Sequence, residues 1–399
     1  MRCRVRGEGP PEQEERSHQN YTILCINFDV MSNLRKLIAS RSKHDLQAVS
    51  EEGSQELVEE TGALSVKDES DDKLMEHFER IKHDTFPVIE RYDVDEGTLQ
   101  TYYRPPAKEP GAILVCHHGA GSSGLTFCQL TRYLMEEKSN QSPSIGVFAY
   151  DARGHGDSMA SEDFSLEQMT VDFGQVLRQF VEKNNITSTL YLVGHSLGGS
   201  VLTNYLQQNP SNPYNIKGLV MLDIVEETAN SALSAMPQFI AKRPTEFATY
   251  TEAINWHVKT HHLLHNVESA KISVPALLRR SNDKLIWRTD LQLTTPYWAR
   301  WFTNLSSNFV ECGKPQHVAK LLILAGHETL DTNLIIGQMQ GKYQLIVFNN
   351  NERTGHFVHE DIPMQVGLSV IDFVRRNDSP SDYMKNELGF VPKWGAYNK

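Results

Sequence analysis

The segment Gly194-His195-Ser196-Leu197-Gly198-Gly199 constrains this chain more than any other. It follows the apolar run Leu190–Val193 and opens a stretch compatible with a helix. In such a strand–turn–helix setting, small residues two before and two after the serine let the chain reverse sharply without a clash. The reversal lifts the serine hydroxyl clear of the backbone. It also leaves that hydroxyl at a helix N-terminus, where partial positive charge favours a developing anion. Glycine and serine are common, so the pentapeptide alone says little. The flanking strand and helix make it a prediction that Ser196 is a nucleophile.

The rest of the chain supplies the strands and helices that such a turn requires. Ile113–Cys116, Ile145–Tyr150, Leu190–Val193, Leu219–Leu222, Leu321–Leu324 and Leu345–Phe348 are short apolar runs that read as fully buried strands. Arg91–Val94 and Leu99–Tyr103 fit an antiparallel starting hairpin. Helical spacing marks Leu125–Lys138, Leu166–Lys183, Leu197–Gln208 and Met364–Arg376. In the second of these, Met169, Phe173, Val176, Leu177 and Phe180 form one apolar face and read as core alone. Strands alternating with helices predict a mostly parallel sheet covered on both faces, the α/β-hydrolase architecture.

Residues 227–317 break the alternation with aromatic-rich helical pieces and no clear buried strand. A connection of that length reads as a helical cap inserted over the site. The expected organisation is therefore an acidic, disordered lead over 1–85 and a core over 86–226. The cap over 227–317, a second core part over 318–378 and a tail over 379–399 complete it. The lead carries Glu51, Glu52, Glu56, Glu59, Glu60, Asp68, Glu69, Asp71 and Asp72 among few large apolar groups. Such a stretch buries too little surface to offset its ordering entropy. Residues 1–30 differ in texture from the rest of the chain, and Met31 opens a stretch that reads as a natural start.

A serine hydroxyl needs a base, and the base needs an acid to hold it. In this architecture the chain order is serine, acid, histidine. His356, in Thr354-Gly355-His356-Phe357 after the last strand, is the expected base, with His359 as a structural neighbour. Two aspartates compete for the acid. Asp223 ends the run Gly218–Leu222, and Asp331 follows Leu321–Leu324 at the more usual place. Spacing leaves the choice between them open. An oxyanion site needs two backbone N–H groups. These are expected from Leu197, just after the nucleophile, and from Ala120 in His117-His118-Gly119-Ala120-Gly121. The turn Asp151-Ala152-Arg153-Gly154-His155-Gly156 is given no chemistry.

Gly119-Ala120-Gly121-Ser122-Ser123-Gly124 also fits G-x-G-x-x-G, with Asp151 ending the next strand. The rival reading is a dinucleotide-binding oxidoreductase. That reading accounts for the glycines and leaves Ser196 and His356 unexplained. His257, His261 and His265 recur at helical spacing, but no HExxH pattern or acidic ligand accompanies them, and a solvated cap face is expected there. No metal or organic cofactor is expected.

The formal charge of −11 argues against nucleic acid or an anionic membrane as the main partner. Five widely spaced cysteines with no CxxC pair suit a reducing compartment. The apolar stretch at residues 21–28 is too short to span a bilayer. A cytoplasmic protein is expected, with the nucleus also open.

Over roughly residues 98–376 the chain resembles the protein phosphatase methylesterases. His118-Gly119-Ala120-Gly121-Ser122-Ser123-Gly124 and the serine segment carry part of the likeness. More specific are Met221-Leu222-Asp223-Ile224-Val225-Glu226, Trp287-Arg288-Thr289 with Tyr297-Trp298-Ala299-Arg300-Trp301-Phe302, and Ile336-Gly337-Gln338-Met339-Gln340-Gly341-Lys342. The resemblance implies hydrolysis of the methyl ester on the C-terminal leucine of a type 2A protein phosphatase catalytic subunit. It implies Asp223 as the acid and leaves Asp331 structural. The loop Arg280–Lys284 is short, whereas some relatives carry a long acidic insertion there. A generic esterase acting on small esters is the alternative.

Overall fold

The computed structural model describes residues 70–378 except 110, 138–142, 161, 315, 327–328 and 349–353. The apolar runs become the strands β1 (Val88–Val94), β2 (Gly97–Arg104), β3 (Ala112–His117), β4 (Ile145–Tyr150), β5 (Met159–Ala160), β6 (Thr189–His195) and β7 (Ile216–Leu222). Further along lie β8 (Glu246–Phe247), β9 (Leu278–Ser281), β10 (Lys284–Trp287), β11 (Ala319–Leu324) and β12 (Gln344–Val347). The main sheet has nine strands in the order β1-β2-β4-β3-β6-β7-β11-β12, with β5 on β2. Pairings among β4, β3, β6, β7, β11 and β12 are parallel, while β1, β2 and β5 join antiparallel.

The order reverses at β3, whose neighbours are β4 on one side and β6 on the other. Loops leaving β3 and β6 therefore emerge side by side, the place where open α/β sheets bind ligands. Alternation along β3 serves both faces: Ile113 and Val115 enter one apolar cluster, Leu114 and Cys116 the other.

The helices in chain order are α1 (Asp71–Thr85), α2 (Cys128–Glu136), α3 (Leu166–Lys183), α4 (Leu197–Gln208), α5 (Glu226–Lys242) and α6 (Tyr250–Asn255). They continue as α7 (Val267–Ala276), α8 (Trp298–Trp301), α9 (Leu305–Glu311), α10 (Thr332–Met339), α11 (Val358–Asp361) and α12 (Pro363–Asp378). The expected face of α3 is buried in full, from Met169 to Phe180. With α4 it covers one side of the sheet, and α2 and α12 cover the other. Among the described residues no helix is long and apolar enough to cross a membrane.

Three features depart from the sequence reading. Residues 71–85, placed in a disordered lead, form α1, because Leu74, Phe78 and Ile81 recur at helical spacing and are buried. Acidic Asp71 and Asp72 in its first turn and Lys82 and His83 in its last also match the helix dipole. The earlier part of the lead and the tail after residue 378 lie outside the described residues. The expected helical pieces of the insertion are joined by a small antiparallel sheet, β8-β10-β9. Its strands are short and its buried groups few, so no apolar run announced it. Finally, β12 is an edge strand with Val347 44% exposed, since nothing pairs beyond it in the sheet order.

Helix α1 spans two apolar clusters. Leu74 packs with Phe247, Tyr250 and Ile254 of the insertion, while Phe78 and Ile81 pack with the body under β3. Asp71 adds hydrogen bonds to Tyr250 N–H at 2.9 Å and to Arg280 at 3.0 Å. A Phe78→Ala substitution should therefore destabilise the folded protein by about 3–5 kcal/mol. Urea unfolding monitored by tryptophan fluorescence should show a lower midpoint with cooperativity retained.

Candidate active site

Strand β6 ends at His195 and α4 begins at Leu197, so Ser196 alone makes the reversal. Its φ of 51° and ψ of −122° lie where L-residues rarely go. Ser196 N–H donates to the Leu222 carbonyl at 3.1 Å, and its own carbonyl accepts from Gly199 N–H at 2.8 Å. The flanking glycines are required by close approach. A Cβ on Gly194 would come within 2.5 Å of the Gly199 nitrogen, and one on Gly198 within 2.1 Å of the His117 carbonyl oxygen.

The structure brings His356 to Asp223. His356 Nδ1–H donates to Asp223 Oδ2 at 2.9 Å. This fixes the tautomer and leaves Nε2 as the acceptor for a serine proton. Asp223 follows β7 with φ 50°, a value that aspartate tolerates better than most residues. Its carboxylate is buried, and Oδ1 accepts Ala325 N–H at 2.7 Å. Asp331 instead caps α10 through Leu334 N–H at 3.1 Å and accepts the Ser306 hydroxyl. The two carboxylates that spacing left equivalent thus have different partners. His359 is also separate: it is fully buried, with Nε2 on the Thr126 hydroxyl at 2.8 Å. The His356 side chain is 47% exposed.

Beside the serine, a Cβ on Gly119 would lie 3.0 Å from that of Ser196, which puts the loop holding Ala120 next to Ser196. Leu197 is the first residue of α4, so its N–H has no acceptor within the helix. Neighbouring donors are occupied. Gly121 N–H donates to His155 Nε2 at 2.9 Å, and Gly124 N–H to Asp151 Oδ1 at 2.7 Å. His118 in turn accepts Ala152 N–H at Nε2, 2.9 Å away. The turn after β4, to which the sequence gives no chemistry, is thus the scaffold of the loop after β3. Partners 27 and 34 residues apart are invisible to local pattern.

These same bonds count against the dinucleotide reading. Asp151 is fully buried and accepts from Gly124 N–H, the Tyr102 hydroxyl and Asp157 N–H, so a ribose has no access to it. Two of the cap histidines are likewise engaged: His257, buried and not on the solvated face expected, meets the Ala253 carbonyl through Nδ1, and His265 meets Asp361. Among the described residues no group of three or more His, Cys, Asp or Glu could hold a metal ion.

A family model described as the alpha/beta hydrolase family matches residues 114–366. A protein of Debaryomyces hansenii named protein phosphatase methylesterase 1 is 57% identical over 335 residues, 83% of this chain and 86% of that protein. Proteins of the same name from Candida albicans and Saccharomyces cerevisiae are 47% and 40% identical. They cover 83% and 73% of this chain, and 87% and 74% of their own lengths. Among solved structures, an E-2-(acetamidomethylene)succinate hydrolase superposes with a TM-score of 0.57 at 17% identity, over 72% of this chain and 98% of that one. A thioesterase domain from the curacin biosynthetic pathway gives 0.52 at 18%, over 71% and 98%. The structural likenesses show the α/β-hydrolase fold.

Burial keeps the histidines around this site neutral. It lowers His117, His155 and His257 to about 4 and His359 to about 3, with His118 and His195 also well below the ordinary value. Unfolding exposes these imidazoles to proton uptake, so stability present above about pH 6.5 is lost as the pH falls through the folded values. Burial raises Asp151 to about 6 and Glu360 to about 8, which acts in the opposite direction. Six histidines outweigh two carboxyls below pH 6.5. The urea midpoint should therefore fall steadily between about pH 6.5 and 4.5. Equilibrium unfolding at several pH values measures it.

Proposed function

This chain belongs to the protein phosphatase methylesterase family, within the α/β-hydrolases, and on that premise we propose a substrate and a reaction for it. The protein is a serine hydrolase that acts on carboxylic esters. Its substrate is the methyl ester on the C-terminal leucine of a type 2A protein phosphatase catalytic subunit. Ser196 is the nucleophile, His356 the general base and Asp223 the acid that orients it. The observation that carries this reading is the His356–Asp223 hydrogen bond beside a strained serine at the end of β6, in a chain this similar to methylesterases.

The chemistry follows from these atoms. Ser196 Oγ attacks the ester carbonyl while His356 Nε2 takes the hydroxyl proton. Positive charge that develops on the imidazole is met by the Asp223 carboxylate at Nδ1. The tetrahedral oxyanion is received by the N–H groups of Ala120 and Leu197. The intermediate collapses and methanol departs with the proton from His356. Water then repeats the sequence on the acyl-enzyme, giving the free carboxylate and regenerating Ser196. No step calls for a cofactor.

A methyl leaving group offers little to grip, so recognition falls to the polypeptide. One exposed apolar face supports a protein substrate. Helix α10 turns Ile335, Ile336 and Met339 outward at 41%, 48% and 84% exposure. Large exposed apolar groups gathered on one element mark interaction surfaces. The helix begins seven residues beyond Ala325, whose N–H holds Asp223.

Methanol release from carboxymethylated phosphatase catalytic subunit, beside hydrolysis of a short-chain ester, tests the reading. Ser196→Ala should lower turnover of both by roughly 10³-fold or more. Turnover retained in that variant contradicts the role of Ser196, and activity confined to the short-chain ester leaves a generic esterase. Met339→Asp should raise KM for the methylated phosphatase by about tenfold or more, leaving the short-chain ester unaffected.

A further inference from the structure

The segment that carries His356 leans on the insertion. Ser269 donates its hydroxyl to the Glu360 carbonyl at 2.7 Å, and Phe357 packs against the apolar cluster around Trp256. The strongest tie is Asp361, whose carboxylate is shielded from solvent. Its Oδ2 accepts Gly355 N–H at 2.7 Å and His265 Nδ1–H at 3.1 Å, while Oδ1 accepts His265 N–H at 2.7 Å. A single carboxylate thus joins the N–H of Gly355, the residue before His356, to a residue of the insertion. The fit is close, since a Cβ on Gly355 would come 3.1 Å from His265 Cε1. On the other flank, His195 Nε2–H donates to the His356 carbonyl at 2.9 Å.

Those contacts determine where the imidazole can point. Between Gly355 and His356 the backbone is held at an N–H on one side and at a C=O on the other. Asp361 touches neither Ser196 nor Asp223 among the described residues, so its effect on chemistry runs through the backbone of the base. We propose that Asp361 is a positioning residue for His356, and that His265 lets the insertion set that position. Loss of the carboxylate frees the turn and reduces the time His356 spends bonded to Asp223 with Nε2 toward the serine. A displacement of about 1 Å of a reacting group can cost on the order of 100-fold in rate. The binding of a small ester, which needs neither residue, is unaffected.

This inference rests on the reading of His356 as the base, so His356→Ala is the control. The full-length protein and its Asp361→Ala, Asp361→Asn and His265→Ala variants are assayed with p-nitrophenyl acetate, with folding followed by thermal melting. Asp361→Ala should lower kcat by about tenfold to 100-fold with KM within about threefold of the parent. Asp361→Asn keeps one acceptor and should fall between the two, so it reads the effect if the alanine variant does not fold. His265→Ala should lower kcat less, because its backbone N–H still reaches Oδ1. It should add little in combination with the Asp361 change, as expected for two groups acting through one link. Parent-like kcat in a folded Asp361→Asn variant, with His356→Ala inactive, overturns the proposal. So does a loss in kcat that matches the unfolded fraction, or one shared equally with KM. An active His356→Ala variant refutes instead the assignment of the base.

Discussion

Ser196 is held in a backbone conformation worth about 1–3 kcal/mol of strain, and the surrounding structure exists in large part to keep it there. The serine is locked from both sides of the turn. Its N–H is tied to β7 through Leu222, and its carbonyl to the first turn of α4. Gly194 and Gly198 allow the strand, the helix and the loop after β3 to meet at distances that no side chain would permit. A parallel sheet whose order reverses at β3 is what makes those three segments neighbours. The proposed nucleophile, the proposed oxyanion donors and the bond from β7 therefore follow from one crossing of the chain.

His356, the proposed base, is supported differently. Asp223 orients the ring from β7, His195 holds its carbonyl from the elbow, and Asp361 holds the preceding peptide. The insertion shares a carboxylate with the segment that carries His356, and α1 fastens it to the body. Beneath the site, His118 and His155 act as hydrogen-bond acceptors, a role open only to neutral imidazoles, and burial keeps them neutral. The arrangement provides fixed dipoles near the reacting atoms, which is where a serine hydrolase gains most of its rate.

Much of this was legible in the sequence for a physical reason. A strand buried on both faces must be apolar throughout, and a helix covering it must repeat at its own period, so β3, β4, β6, β7, α3 and α4 stand out. The same reasoning misjudged β12, because an edge strand can be as apolar as a central one. It missed α1, whose buried apolar side chains Leu74, Phe78 and Ile81 sit among charged residues of both signs that dominate its composition. It also missed β8 to β10, which are too short to show a period. Ser196 and His356 stood out as candidates from local chemistry. The aspartate that meets His356 did not, because Asp223 and His356 are 133 residues apart and only folding pairs them. One signal did point to a structural role for Asp331: it precedes Thr332-Asn333-Leu334 at the start of an apolar run, as an N-cap residue does. The supports at Asp151, His155 and Asp361 had no such signal, since each acts on a backbone N–H that a sequence does not display.

The proposed chemistry depends on Ser196 as the residue that attacks. The most direct measurement is intact-mass and peptide analysis of the protein after reaction with a fluorophosphonate, which phosphonylates an activated serine and stops there. One phosphonyl group per chain is predicted, on the peptide containing Ser196, with esterase activity lost in proportion to labelling. Label on another residue, or full inactivation with Ser196 unmodified, would contradict the assignment.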